Sequence, residues 1–548
     1  MPETVPDAMP DTMPDTMQDT VQDTVTAAGR ASLADRLVQR TNRRMFIKSA
    51  ALGAAFLAGC ASDDGAAPST TGGPSSTARP GTTTPSSSTT TVATTVPPIT
   101  SAPPTSAARA IAALPSSDLW WMDGNFGPVV GDLEATNLSV TGRLPAALTG
   151  TWVRNGSNPA GESLHWFVGN GMVHGLRLGD GNAEWYRRRH VETPYLLDGD
   201  AGVPGGPVSY SNVSSVFHAG RLLSLGELGF PYELDLDDLS TVGPFDYGAQ
   251  LTTNMTAHPK IDPVTGEMFF FGYDFREPYL TYMVADASGN LQRSLPIGIG
   301  SPAMVHDFAI TEQSALFLDL AVQFDPAEPG LPYRFDRSHR CRLGVIDRSA
   351  TTDTTRWFDI EPCFVFHTIN AHQNGPIITY DVIRYDELWV ERSVDTFPSS
   401  VPYRYVVDLD AGTITEGPLD DRTSEFPMID RRTSGRPNTM SWAVSLGGEF
   451  SAPTSSALLQ YGADGSSQTS ATYQLPGSDI GAEPLFVADP DRPDEGGGWL
   501  LMVVFRSETN TSDVVVFDAH AIADGPVATV HLPERVPFGF HSSWSPNA

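Results

Sequence analysis

From about Ile111 to the C-terminus the sequence predicts an all-β fold, and within that class a β-propeller of about seven blades. Three observations predict it. Short runs rich in Val, Ile, Phe, Tyr and Trp alternate with Gly, Asp, Asn and Pro, as in Glu267-Met268-Phe269-Phe270-Phe271-Gly272-Tyr273, Arg404-Tyr405-Val406-Val407-Asp408-Leu409 and Trp499-Leu500-Leu501-Met502-Val503-Val504-Phe505. Each has strand length and β-branched or aromatic character. Few stretches hold a helical period, and 50 glycines with 45 prolines punctuate the chain too often for an all-helical protein. The third observation is size. Roughly 430 residues of hairpins are too many for one small barrel, whereas seven four-stranded blades take them up at about 61 residues each. No clean internal repeat is visible, so a stacked β-sandwich array stands as the competing arrangement.

The segments ahead of the strands are of two kinds. Residues 1–25 repeat Met-Pro-Asp-Thr or Gln-Asp-Thr units with almost nothing to bury, which predicts disorder. Thr41-Asn42-Arg43-Arg44-Met45-Phe46-Ile47-Lys48 then precedes an apolar run, Ser49 to Gly59, and Cys60. As a helix that run reaches about 16 Å, roughly half a bilayer core, so it reads as the apolar part of a signal and not as a membrane span. The arginine pair with Phe46 and Lys48 resembles a twin-arginine export signal, and Leu57-Ala58-Gly59-Cys60 resembles a bacterial lipobox in which Cys60 is lipidated. The expectation is export to the bacterial cell envelope, with residues 1–60 as leader and a lipid anchor on Cys60. Residues 61–110 are Ser, Thr, Pro, Gly and Ala with almost no large apolar side chain, which predicts a disordered tether. The folded domain is expected over 111–548.

The chain carries 34 Lys and Arg against 65 Asp and Glu, a formal charge of -31. A surface of that sign repels phosphate backbones and argues against nucleic acid as a partner. Lys48 and Lys260 are the only lysines. Beyond Cys60 the cysteines are Cys341 and Cys363, which can pair in an oxidising compartment but read more simply as small buried apolar residues.

Of the twelve histidines, four stand in distinctive contexts. They are His258 in Thr256-Ala257-His258-Pro259, His306 in Met304-Val305-His306-Asp307-Phe308, His367 in Phe364-Val365-Phe366-His367-Thr368, and His541 in Pro537-Phe538-Gly539-Phe540-His541. Their separations of 48, 61 and 174 residues are about one, one and three blades, which lets four blades of a propeller each send one imidazole to the central axis. Imidazole suits Zn, Cu, Fe and Ni alike, so spacing and ligand type alone leave a shared metal undecided.

With these motifs the chain resembles the carotenoid oxygenase family, from about Trp120 to the end. The resemblance also rests on the entry segment Gly150-Thr151-Trp152-Val153-Arg154-Asn155-Gly156-Ser157-Asn158-Pro159 and on His165-Trp166-Phe167-Val168-Gly169-Asn170-Gly171-Met172. It implies a seven-bladed β-propeller with a loop dome over the iron face, and Fe(II) held by His258, His306, His367 and His541. It places glutamates behind the ligands at Glu227, Glu425 and Glu483. That agrees with the need of a ligating imidazole to have its other ring N–H held by an acceptor. It assigns no catalytic residue beyond the iron site. His165 and His174 match a family segment outside the iron shell.

The resemblance further implies an apolar polyene, a carotenoid or apocarotenoid, that enters a tunnel, gains dioxygen across one C=C bond and leaves as two carbonyl products. Phe308, Phe366 and Phe540, near the ligands, are candidates for the tunnel wall and equally for core. Stilbene cleavers of the family carry a lysine before the first glutamate, where this chain has Gly226, which favours carotenoids over hydroxystilbenes. Three alternatives stand beside cleavage of carotenoids: cleavage of stilbenes, polyene isomerisation on the same fold, and a cell-surface propeller that binds without chemistry. Nothing in the sequence specifies the oligomeric state.

Overall fold

A strand that is apolar at every position needs cover on both faces. Met268–Tyr273, Leu280–Ala285 and Ser314–Asp319 are buried at every position, whereas Leu291–Pro296 and Thr413–Pro418 alternate or lie open. Sheets stacked side by side around an axis satisfy both patterns, with inner strands sandwiched between neighbouring sheets and the last strand of each sheet at the rim. The computed structural model has this form. It describes residues 119–199, 204–328, 331–390, 396–462 and 469–546. The leader, the tether, Cys60 and residues 111–118 lie outside the described residues.

Seven antiparallel sheets make seven blades, as the strand texture predicts. The edge strands that meet around the axis are Ser542–Pro546 (blade 1), Ser214–His218 (blade 2), Lys260–Ile261 (blade 3), Ala309–Ile310 (blade 4), Phe364–Asn374 (blade 5), Glu425–Met428 (blade 6) and Ile480–Ala488 (blade 7). Two exchanges close the ring. The C-terminal Ser542–Pro546 pairs with Gly150–Ser157 from Gly150↔Pro546 to Arg154↔Ser542 and completes blade 1 from inside. The N-terminal Val140–Gly142 pairs with Ala528–His531 at the outer edge of blade 7. A short hairpin, Val322–Phe324 with Tyr333–Phe335, leaves blade 4, and loops carrying Trp166, Phe167, Phe397 and Phe450 help to enclose one end of the axis.

Large side chains fill the seams between blades. Trp442 of blade 6 stacks on Phe486 of blade 7 with centroids 5.4 Å apart, and Phe308 stacks on Phe317 at 5.6 Å with Phe271 edge-on at 5.3 Å. Cys341 and Cys363 are both free and buried.

Phe308 requires a correction. It does not line a tunnel: its side chain is fully buried between blades 3 and 4. The physical reason is its place just ahead of Ala309–Ile310, where the side chain turns between sheets while His306 turns to the axis. Phe308→Ala is therefore expected to lower stability by about 3–5 kcal/mol in denaturant melts, the cost of a large aromatic cavity in a core.

Candidate metal centre

The blade count explains the spacing of the four histidines. His258 stands two residues ahead of the inner strand of blade 3 and His306 three residues ahead of that of blade 4. His367 lies within the inner strand of blade 5, and His541 directly precedes that of blade 1. Irregular pairing aims several of the side chains. The register slips between Val365 and Thr368 around His367, between Glu425 and Met428 beside Glu425, and between Gly481 and Pro484 around Glu483. An extra residue on one strand rotates the side chains next to it, which is how a regular sheet edge comes to aim a ligand at the axis.

The four rings meet on that axis with one nitrogen from each within 4.8 Å of every other. His258 Nε2 lies 3.0 Å from His306 Nε2, and His367 Nε2 lies 3.2 Å from His541 Nε2. Behind three of the rings stands a carboxylate. His306 Nδ1 pairs with Glu227 Oε1, His367 Nδ1 lies 2.5 Å from Glu425 Oε2, and His541 Nδ1 lies 2.8 Å from Glu483 Oε1. No carboxylate backs His258 among the described residues; its ring packs edge-on against His541 at 4.6 Å.

The carboxylates are themselves held. Tyr273 donates to Glu227 Oε2 at 2.5 Å and Tyr385 donates to Glu425 Oε1 at 2.8 Å. The backbone N–H groups of Phe426 and Ser542 donate to Glu425 and Glu483 at 2.7 and 2.6 Å. The sequence reading named the glutamates but missed both tyrosines. Their signal was faint: each is simply the aromatic end of a strand, Met268–Tyr273 or Ile377–Tyr385.

This arrangement fits a metal ion. A ring whose Nδ1–H is given to a carboxylate carries a bare lone pair on Nε2. The lone pairs of His367 and His541, both backed by carboxylates, face one another at 3.2 Å and repel unless a cation lies between them. Four imidazoles suit Fe, Zn, Cu or Ni, and three carboxylates offset the charge of a divalent ion. Burial and the neighbouring imidazoles hold His258 well below the usual histidine range, and burial also lowers His541. Burial works against a charge on His367 too, but the Glu425 charge and hydrogen bond outweigh it and raise its pKa.

One side of the ring opens on a cavity of about 130 Å³. Trp166, Phe167, Phe366, Phe397, Phe426 and Phe540 line it, so two of the three phenylalanines singled out in the sequence face it and Phe308 does not. Phe426, which sequence reasoning passed over, has φ +55° and sets its ring 5.4 Å from His367 and 5.7 Å from His541. The other histidines are elsewhere. His174 is buried with Nδ1 2.8 Å from the Tyr186 hydroxyl, and His165 packs against Phe167.

A family model described as retinal pigment epithelial membrane protein matches residues 126–546. The chain is 33% identical over 495 residues to a carotenoid cleavage oxygenase of Mycobacterium tuberculosis, covering 78% of this chain and 97% of that one. It is 33% identical over 485 residues to carotenoid 9,10(9',10')-cleavage dioxygenase 1 of Pisum sativum, covering 77% and 89%. The fold is similar to that of Pseudomonas brassicacearum lignostilbene dioxygenase, with TM-score 0.71 at 24% identity over 79% of this chain and 100% of the other. It is also similar to cobalt-substituted Synechocystis apocarotenoid oxygenase, with TM-score 0.67 at 24% identity over 76% and 96%.

Two outcomes follow from the geometry. Glu425→Gln and Glu483→Gln each leave a ring N–H poorly held and should weaken metal binding by about 10–100-fold, read by chelator competition. The second concerns acid. Burial, then the charges of Arg188 and Arg154, hold His174 well below its ordinary 6.5. Protons therefore bind the unfolded chain preferentially, and stability is present above about 6.5 and lost as pH falls below it. In chelator-treated protein His174→Gln should show a shallower loss of melting temperature below that pH.

Proposed function

The chain belongs to the carotenoid oxygenase family, and on that premise we propose that it is an iron(II)-dependent dioxygenase cleaving a C=C bond of a carotenoid or apocarotenoid into two carbonyl products. One observation carries the reading: four imidazoles converge beside an aromatic cavity that three of them line, and the carboxylates among its described lining residues, Glu227 and Glu425, are engaged by histidine and tyrosine. Iron held by His258, His306, His367 and His541 supplies the activation of dioxygen, a chemistry that no side chain provides.

The protein's own part is binding, dryness and proton control. Flat aromatic walls suit a conjugated chain, which they grip by dispersion and by displacing water. A volume of about 130 Å³ is below the roughly 300–1,000 Å³ of whole-ligand pockets, so the cavity houses the reacting segment of a long molecule. Burial and the adjacent glutamates push the Tyr273 and Tyr385 hydroxyls well above the usual tyrosine range. They stay protonated and keep Glu227 and Glu425 occupied as acceptors, leaving no base beside the polyene.

Two observations favour a carotenoid over a hydroxystilbene. Lys260 does not line the aromatic cavity; it pairs with Asp307 at 2.7 Å. At Gly226 a Cβ would meet Ser209 Oγ and Ser211 N at 3.1 Å each, so the chain at 209–211 crowds the place where a stilbene cleaver of the family carries lysine. The Arg43-Arg44 leader and Cys60 support export and lipid anchoring, which would keep the domain near membranes where polyenes partition.

The test is to incubate the iron-loaded full-length chain in air with carotenoids, apocarotenals and hydroxystilbenes. We expect uptake of one dioxygen per bond broken and two carbonyl fragments from a carotenoid or apocarotenoid, identified by mass. An unchanged carbon count with altered double-bond geometry, cleavage confined to stilbenes, or pigment bound without oxygen uptake would each overturn the proposal.

A further inference from the structure

The four ligand segments are not held equally. His367 lies within an 11-residue strand, Phe364–Asn374, whereas His258 and His306 stand ahead of strands of two residues each, Lys260–Ile261 and Ala309–Ile310. Two ladder pairs apiece fix those segments only weakly. Carboxylates back the other three rings, and His258 has none among the described residues. Its ring borders a second cavity, of about 430 Å³, which Lys260, Asp307 and Thr368 also line.

Asp307, the residue after His306, ties these segments together. Its side chain is 2% exposed, so its partners come from the protein and not from water. Oδ1 takes Lys260 Nζ at 2.7 Å and the Phe308 N–H at 2.8 Å, and Oδ2 takes the Thr368 N–H at 2.9 Å and the Thr368 hydroxyl at 2.8 Å. Thr368 directly follows His367, and Lys260 follows His258 by two residues. One carboxylate therefore joins blades 3, 4 and 5 at positions one or two residues from a ligand. Thr256 adds a second tie, since its hydroxyl accepts the His258 N–H at 3.1 Å and donates to the His306 carbonyl at 3.4 Å. Pro259 makes the lysine an effective anchor. Its ring fixes its own φ and confines His258 to extended backbone, so few free torsions separate the held lysine from the ligand.

We propose that Lys260 and Asp307 are positioning residues for the metal, their ion pair holding the His258 segment against that of His306 in place of the carboxylate that the other three rings possess. The proposal rests on the metal-centre reading and not on the choice of substrate. Neither residue touches the ion; each acts through the histidine beside it in the chain. Asparagine cannot stand in for Asp307, because each carboxylate oxygen receives two donors and an amide nitrogen in either place would face them with hydrogens of its own. Methionine at 260 keeps most of the stem and removes the charge. The His258 segment then loses its anchor to blade 4, and its ring is held less closely to the point where the other three converge.

The test uses the metal-stripped full-length chain and Co(II), whose visible absorption reports the number and geometry of its nitrogen donors. Lys260→Met and Asp307→Asn should each weaken cobalt binding about tenfold or more in chelator competition, and Lys260→Arg should restore much of it. Both loss variants should move the cobalt bands toward those of His258→Ala. In a His258→Ala background Lys260→Met should add less than about a twofold loss, since the ring it acts through is already gone. Asp381→Asn is the control. It breaks the 2.7 Å pair with Arg404 in blade 5, and should lower the melting temperature while leaving cobalt affinity and bands unchanged. Wild-type affinity and bands in Lys260→Met, an undiminished further loss in the His258→Ala background, or the same band shift in Asp381→Asn overturns the proposal. If Asp307→Asn fails to fold, Lys260→Met decides, because it removes only one of the four donors to Asp307 and its side chain borders a cavity. A wild-type chain that takes up no cobalt, iron or zinc overturns the metal reading, and this proposal with it.

Discussion

Four imidazoles turned toward one point, three of them with the inward lone pair set by a carboxylate, form an arrangement that needs something to oppose its repulsion. The rest of this structure is organised around that constraint. A ring of blades brings single residues from distant parts of the sequence to a shared axis, and the backing carboxylates fix the tautomer that turns the lone pairs inward. Each carboxylate is in turn pinned by a hydroxyl or a backbone N–H, so that the imidazole is not free to rotate away from the axis. The same ring must be mechanically shut. The two strand exchanges, at Gly150–Ser157 with Ser542–Pro546 and at Ala528–His531 with Val140–Gly142, join the first and last blades by backbone hydrogen bonds, and the first of them carries His541 on its leading end.

Much of this was legible in the sequence, and the reasons are physical. Strands covered on both faces have to be apolar throughout, so Met268–Tyr273 and Gly498–Arg506 announce themselves as runs. Blades of nearly constant length turn residue number into angle, so separations of 48, 61 and 174 residues already contain the convergence of the histidines. What stayed hidden depends on two- and three-residue detail. The bulges at His367, Glu425 and Glu483 leave no compositional mark, because an extra residue in a strand looks like any other. Phe308, Phe366 and Phe540 are alike as text, each within two residues of a ligand, yet one is core and two face the cavity. Local backbone direction decides that, and no periodicity spans it. Tyr273 and Tyr385 were invisible for the opposite reason: an aromatic residue at a strand end is the commonest sight in such a chain, and only the glutamate it meets gives it meaning. The leader and Cys60 lie outside the described residues and rest on their motifs.

The ring also separates two media. On one side Glu227 and Glu425 face aromatic walls, and the groups that satisfy them are neutral tyrosine hydroxyls. On the other side Glu483 faces a polar cavity, and the charges near it are those of Arg154 and Arg431. This division follows from the cost of desolvation. A guanidinium set against Glu227 inside the aromatic cavity would surrender its water for one partner, at a penalty of several kcal/mol. A tyrosine there meets the carboxylate's need for a donor while presenting its ring to the cavity, and it adds no charge beside an apolar ligand. On the polar side the exposed Arg431 keeps its water and costs little. Neutral tyrosine hydroxyls at Glu227 and Glu425 therefore suit the aromatic cavity, whereas Glu483, held by His541 and the Ser542 N–H, faces the polar one.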